Sequence, residues 1–488
     1  MVDLLVIGGG INGTGIARDA SGRGLSVVLV ERGDLAAATS SSSSKLIHGG
    51  LRYLEQYEFR LVAEALAERE VLLRIAAHLV WPARFVMPHV PELRPRWMIR
   101  AGLFLYDHLA RRASLPGSHA VRLDAPPFNS GLKRELRHGF IYSDCRVDDA
   151  RLVVANAMDA AARGARVLTR TECTAARRAD GAWHARLSSG EEIQARAIVN
   201  AAGPWVKTVL NERLGQPSRE AVRLVKGSHI VLPRLYEGEH AFILQNDDRR
   251  VVFMIPYGEA HTLVGTTDVP EGEDAERAAA RPSASDAEVE YLCRAVNRYL
   301  AKPAQPREVV WRYAGVRPLY DDGSSDPSAI TRDYTLRVDD EAGRAPVLSV
   351  FGGKITTYRR LAEQAMERLG RYFPGLGGAW TQCAPFAGSD FGGARRTQAR
   401  DAFFARHRHL PTEVLRGIFR RHGSRADEVV GEGDLGEDYG AGLSEREMRY
   451  FVEREWARTA EDVLWRRTKA GLLMTEAQRA RIAQVLGR

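Results

Sequence analysis

Cysteine is scarce in this chain: four in 488 residues, Cys145, Cys173, Cys293 and Cys383, with no CxxC or Cys/His ligand spacing among them. That argues against a disulfide framework and against a metal site, and it predicts a reducing compartment. Long apolar runs are missing too, since nothing approaches the ~18–20 residues that a membrane-spanning helix needs. The opening "MVDLLVIGGG" has neither the basic start nor the length of a secretory leader. A cytoplasmic protein is expected, one that meets a membrane only at its surface. Acidic residues fall short of basic ones, 62 Asp and Glu against 70 Lys and Arg, leaving a net charge of +8. Such an excess suits an anionic partner (a small phosphate, a nucleic acid or a lipid headgroup), or it reflects an arginine-rich source. With 44% hydrophobic and 27% charged residues, the composition is that of a globular protein long enough for two or three domains.

What is present begins at the N-terminus. "DLLVIGGGINGTGIARDASGRGLSVVLVER" (3–32) reads as strand, glycine turn, helix and second strand. Its apolar runs, Leu4–Ile7 and Val27–Val30, fit parallel strands buried on both faces. Gly8, Gly10 and Gly13 stand at GxGxxG spacing, and Glu31 closes the second strand. In such a unit the first glycine makes the tight turn and the second lets the backbone approach a pyrophosphate. The third lets the helix pack on the sheet, and the acid accepts hydrogen bonds from a ribose. Dinucleotide binding is the reading.

The fingerprint does not choose among dinucleotides, but the next stretch, "TSSSSSKLIHGGLRYLE" (39–55), bears on the choice. Five serines look like a flexible linker. Leu46, Ile47 and His48-Gly49-Gly50 follow at once, however, and a linker has no use for them. A hydroxyl-rich loop beside a pyrophosphate suits a cofactor enclosed along its length, as a permanently held flavin is.

Further along, residues 59–80 have the period of a packed surface helix. The stretch 81–112, rich in proline, aromatics and arginine, reads as a surface loop. Residues 147–168 are helix then strand, and "AIVNAAGPW" (197–205) is a buried strand ending in a small-residue turn. Four strands with short turns between 223 and 269 predict an antiparallel sheet inserted into the α/β framework. "VLSVFGGKITTYRRLAEQAMERL" (347–369) returns to strand, Gly-Gly turn and helix. Beyond about residue 388 the chain is helical, with capping boxes expected at Ser444/Glu447 and Thr475/Gln478.

These blocks, together with "WMIRAGLFLYDHLARR", "YSDCRVDDARLV", "KGSHIVLP", "VGTTDV", "GVRPL", "ITRDYTL" and "FGGKITTYR", resemble the FAD-dependent, aerobic glycerol-3-phosphate dehydrogenases in order through essentially the whole chain. The resemblance implies oxidation of sn-glycerol 3-phosphate to dihydroxyacetone phosphate, electrons leaving for membrane quinone, and peripheral attachment to the inner face of the cell membrane. The fold implied is α/β, a Rossmann-type FAD-binding domain (1–75, 145–215 and 330–375) with an inserted antiparallel-sheet substrate cap (76–144 and 216–329) and a C-terminal helical domain (388–488).

By the same resemblance the FAD pyrophosphate lies against Gly8, Gly10 and Gly13 with Asn12 nearby, and Glu31 meets the adenosine ribose. The loop from Thr39 and Ser40 through Ser44, Lys45 and His48 to Gly49 and Gly50 runs along the ribityl chain. Gly203, Trp205, Gly353, Lys354 and Thr356 close the other side. A guanidinium matches phosphate oxygens bidentately, so Arg317 and Arg52, with the Tyr53 hydroxyl, are assigned to the substrate phosphate and Arg332 ranks second. His229 in "KGSHIVLP" is the candidate base, because its pKa lies near working pH. Lys354 is the alternative, stabilising the forming alkoxide.

Arginines at 74, 84, 94, 96, 100, 111 and 112, with Trp81 and Trp97, are the expected contacts with an anionic lipid surface. A flavin oxidase acting on the same substrate or on a small amine is a rival reading. A nucleic-acid-binding flavoprotein is a remote one, so no nucleic-acid partner is expected. A homodimer is left open.

Overall fold

The computed structural model describes residues 1–487 apart from 91, 93, 112, 218, 219, 221, 249, 273, 274, 281 and 321–332. Two sheets organise the chain. In the first, Arg344–Phe351, Glu192–Asn200, Val2–Ile7, Val27–Val30 and Arg166–Leu168 lie parallel in that order, with Thr335–Glu341 antiparallel at one edge. The central strands carry β-branched and leucine side chains on both faces, and both faces are covered. On one side pack the helices Ile11–Gly22, Asp149–Ala162 and Tyr358–Leu369. On the other lies a second apolar cluster around Trp183, contributed by the hairpin Cys173–Ala179 and Ala182–Leu187.

Among the described residues the second sheet has ten strands and is mixed. The expected antiparallel strands are all in it, Val222–Pro233, Ala241–Gln245, Val251–Tyr257 and His261–Gly265, with Trp311–Tyr320 paired along the first of them. Ala241–Gln245 then runs parallel to Val80–Pro88, which pairs with His138–Val147 and, through it, with the short Leu46–Ile47. Two expected limits therefore move. The 144/145 boundary falls inside His138–Val147, and the end of the serine loop belongs to the cap sheet.

The stretch 81–112 is not a loop. It forms the strand Val80–Pro88 and the helix Arg96–His108. Pro82 and Pro88 sit where the strand pairs on His138–Val147, and Pro95 caps the helix from its N-terminal side, positions that proline tolerates. The helix Phe59–Ile75 ends before residue 80 and is not a plain surface helix. Glu68 and Arg69 are buried, paired with Arg359 and with Asp144.

The C-terminal region packs Arg396–Arg406, Thr412–His422, Glu445–Arg454 and Glu476–Leu486 around their own apolar cluster. The capping box at Thr475 and Gln478 is complete. At Ser444 only half forms: the hydroxyl accepts from Glu447 N, while the Glu447 carboxylate is drawn to Arg421 and His422.

This region is tied to the first sheet by a buried carboxylate. Asp34 accepts from Arg466 Nε at 2.7 Å and from both terminal nitrogens of Arg467 at 2.7 Å. Removing one partner of a buried pair typically destabilises by about 3–5 kcal/mol, because the remaining charge stays desolvated. Asp34→Ala is thus expected to bring the urea-induced release of the C-terminal region to markedly lower urea. A midpoint unchanged within error would show that the contact carries no stability.

Candidate active site

Two adjoining cavities open along the C-terminal ends of the parallel strands, where open α/β sheets bind ligands. The first, about 550 Å³, runs from Glu31 and Arg32 past Gly8, Gly10 and Asn12 to Thr39, Ser40, Gly203, Trp205 and Gly353. The second, about 290 Å³, is lined by Ser44, His48, Gly50, Arg52, Tyr53, His229, Thr266, Asp268, Arg317, Lys354 and Thr356. They share Ile11, Thr39, Ser40, Pro318 and Gly353, so a long ligand can pass from one into the other.

The glycine turn is built for close approach. Gly8 has φ +114°, and a Cβ on Gly13 would lie 1.9 Å from Gly8 O, so helix and strand meet there backbone to backbone. A Cβ on Gly10 meets nothing but Ser40 Oγ at 3.1 Å, leaving the turn open to the cavity. Asn12 donates to Gly352 O, and its buried Oδ1 has no hydrogen-bond partner. Glu31 accepts from Gly9 N and Gly33 N, both at 2.7 Å, and burial pushes its carboxyl up. The Arg32 guanidinium lies 3.9 Å over the Trp205 ring, walling the far end of the slot.

The serine run is pinned, not flexible. Thr39 Oγ1 donates to Val316 O, Ser40 Oγ accepts from Ile11 N, and Ser43 Oγ donates to Asp149. Ser44 Oγ lies 2.8 Å from His229 Nε2. Lys45, expected at the cofactor, lines neither cavity. Its ammonium sits 2.6 Å from buried Asp149 and bonds Ser41 O, because a desolvated lysine needs a carboxylate. Gly13 and Gly49 also stand behind the walls. Gly49 N bonds Tyr106 Oη, and a Cβ there would strike Leu66 at 2.5 Å.

In the second cavity Arg317 Nη1 is 2.7 Å from Asp268, and its Nη2 donates to Thr267 O. Arg52 Nη1 is 4.0 Å from the same carboxylate. Asp268 lies in "VGTTDV", a block noted above for its resemblance, but a lone aspartate there gave no sign that it would stand between two arginines. Lys354 Nζ lies 4.0 Å over the Tyr53 ring. His229 is buried, and burial first, then Lys45 and Arg317, holds its pKa well below 6.5. Burial likewise lowers His48, whose backbone bonds Thr356 Oγ1. Cβ atoms on Gly227 and Gly265 would lie 2.1 Å from the Arg317 guanidinium and the His229 ring, so these glycines make the room both side chains occupy. Arg332 lies outside the described residues.

A phosphate-ready glycine turn that continues into a cavity holding cations, a buried histidine and a substrate-sized space defines a dinucleotide-dependent oxidoreductase. The chain belongs to the FAD-dependent oxidoreductase family, which matches residues 3–359, and the C-terminal domain of alpha-glycerophosphate oxidase matches 379–487.

It is 53% identical to a glycerol-3-phosphate dehydrogenase of Pseudomonas aeruginosa, covering 99% of this chain and 94% of that one. Identity is 51% to the aerobic glycerol-3-phosphate dehydrogenase of Escherichia coli (99% and 97% covered) and 50% to D-erythritol 1-phosphate dehydrogenase of Brucella abortus (98% and 96%). Among solved structures it resembles the glycerol-3-phosphate dehydrogenase of Bacillus halodurans complexed with FAD, with a TM-score of 0.74, 27% identity, and 100% of this chain and 94% of that chain covered.

The residues fit FAD: an open glycine turn and an acid at the end of the second strand line one continuous slot, and Asn12 beside them keeps a buried amide oxygen with no hydrogen-bond partner among the described residues. Gly10→Val puts a branched side chain into that slot and is expected to give folded, colourless protein, read by the flavin absorbance at 450 nm of the purified enzyme. Normal flavin content would place the cofactor elsewhere.

Proposed function

We propose that this chain oxidises sn-glycerol 3-phosphate to dihydroxyacetone phosphate and passes the electrons to membrane quinone. The observation that carries it is the pairing, in one cavity, of two arginines with a buried histidine of lowered pKa, directly beside the dinucleotide slot. Bound FAD supplies the two-electron acceptor for the hydrogen on C2. Arg317 and Arg52, with Tyr53, take the phosphate dianion. His229 accepts the C2 hydroxyl proton at Nε2, the nitrogen beside the Ser44 hydroxyl. Lys354 stabilises the developing negative charge on that oxygen. Ile243, Phe253 and Leu319 supply the apolar part of the cavity lining.

Anaerobic mixing of purified protein with glycerol 3-phosphate should bleach the flavin. No bleaching would remove the proposal. The 50% identity to a D-erythritol 1-phosphate dehydrogenase favours a second reading, a four-carbon polyol phosphate, and the relative bleaching rates of the two substrates decide between them. Steady-state peroxide would mark an oxidase instead.

We further propose attachment to the inner membrane face through the helix Arg96–His108. No described helix is long and apolar enough to cross a membrane. This one buries Ile99, Leu103 and Tyr106 and presents Trp97 (70% exposed), Phe104 (55%), Met98 (46%) and Leu105 (45%), the composition of an interfacial helix. Of the expected anchors Trp97 is kept and others are engaged within the protein: the Arg146 and Arg420 guanidiniums each lie 5.7 Å from the Trp81 ring, Arg74 donates to Gln382 O, Arg94 pairs with Glu55 and Arg100 bonds Ser118, while Arg112 lies outside the described residues.

At about 1.5–3 kcal/mol per large apolar side chain, changing Trp97 and Phe104 to Ser should weaken binding to anionic liposomes, read by sedimentation, by about a hundred-fold or more. Changing Arg94, Arg96 and Arg100 to Ser should act less, and mainly at low salt. Binding indifferent to the aromatic pair would move the membrane face elsewhere.

A further inference from the structure

Catalytic histidines are commonly oriented by a hydrogen bond on the ring nitrogen that does no chemistry. His229 lacks one: its Nδ1 is buried with no hydrogen-bond partner among the described residues. Apart from the Ser44 hydroxyl at Nε2, the ring is held by stacking. Tyr313 stands opposite His229 in the register of the strands Val222–Pro233 and Trp311–Tyr320, and the two rings are 4.8 Å apart and 12° from parallel. Trp311, two residues before Tyr313 and so on the same face of its strand, lies 4.7 Å from the Tyr313 ring. Trp465 stacks on Trp311 at 4.6 Å and 20°. Four rings thus run unbroken from the cavity wall to the C-terminal region.

This column is fixed at Tyr313 and at Trp465. Tyr313 Oη donates to Ser43 O at 2.9 Å, and the Lys45 ammonium lies 4.9 Å from the Tyr313 ring centroid, so the column also holds the serine loop. Trp465 sits in the segment Asp462–Arg467, where Arg466 and Arg467 are anchored on Asp34 and Asp462 is anchored on Arg170. Lys469 Nζ bonds the Trp465 carbonyl, and a Cβ on Gly471 would lie 2.8 Å from the Trp465 ring, so that residue's lack of a side chain seats the indole.

We propose that Trp465 and Trp311 are positioning residues for the reaction: the C-terminal region, through this column, sets the plane of the His229 ring and the place of the serine loop. The inference rests on the reading of His229 as the base.

The test compares Trp465→Met, which fills the space without a flat face, with Trp465→Phe, which keeps one, in the full-length FAD-loaded enzyme. Trp465→Met is expected to lower kcat for glycerol 3-phosphate about five- to thirty-fold with KM within two-fold and unchanged flavin content, as for the loss of an interaction made only in the transition state. Trp465→Phe should recover most of that. In a His229→Gln background Trp465→Met should add nothing, since coupled residues are not additive.

Equal kinetics for Met and wild type, an additive loss in the double variant, or a loss of flavin in step with activity would each overturn the proposal. Should Trp465→Met fail to fold, the same comparison at Trp311 (Met against Phe) decides. The two readings fail separately: an active His229→Gln sinks the base, whereas an inert Trp465→Met beside a crippled His229→Gln sinks the column alone.

Discussion

His229→Gln is expected to lower kcat/KM for glycerol 3-phosphate by about 10²–10⁴-fold, the range for loss of a positioned general base, and to remove one limb of its pH profile. The folded histidine titrates well below 6.5 because burial, Lys45 and Arg317 all disfavour its cation. The neutral ring needed to accept a proton is therefore populated through neutral and weakly acidic pH, and activity should fall only at more acidic pH. The substrate phosphate, with a second pKa of about 6, contributes a limb of its own that must persist in the variant. Stability moves in the same direction: the unfolded chain takes a proton at this histidine near 6.5 and the folded one does not, so acidification below that value weakens the fold. Rates are accordingly read together with flavin content. A variant that keeps the wild-type acidic limb would transfer the proton to Lys354 or to water.

Arg317→Ala should cost about ten- to a hundred-fold in kcat/KM, from hydrogen bonds to a charged group worth about 1.5–3 kcal/mol each. The structure adds a reason to expect the upper end. Asp268 lies 2.7 Å from Arg317 and 4.0 Å from Arg52. Without Arg317 that carboxylate faces the incoming phosphate with one cation fewer to offset it. Arg317→Lys restores charge but not the planar fork, and should recover activity only in part. Unphosphorylated glycerol, which brings no dianion, should react equally poorly with wild type and variant. An equal proportional loss for both substrates would mean that Arg317 serves the cofactor or the fold.

Much of the site was legible because it is local. The glycine spacing and the acid at the end of the second strand lie within one strand–turn–helix–strand unit, and the turn before Tyr358 lies within a second strand–turn–helix; inside each, chain geometry decides which atoms face out. The serine run was legible by its neighbours, since Leu46 and Ile47 are buried strand residues. The stretch 81–112 misled because proline and arginine signal loops on average. Here a strand partner at His138–Val147 and the acceptors of Glu55 and Ser118 satisfy them.

The sequence by itself determined the Rossmann-type unit, the cofactor class and the helical C-terminal region, and it named the candidate residues for a phosphate and a proton. Each is written in spacings of a few residues or in contiguous blocks. Tertiary structure alone decided that Asp268 stands between Arg317 and Arg52, that Lys45 turns away to Asp149, and that Trp465 reaches His229 through two other rings. These pairs are separated by about fifty to more than two hundred residues, and no local preference encodes them. They form because a desolvated charge needs a carboxylate and a buried flat ring packs best on another.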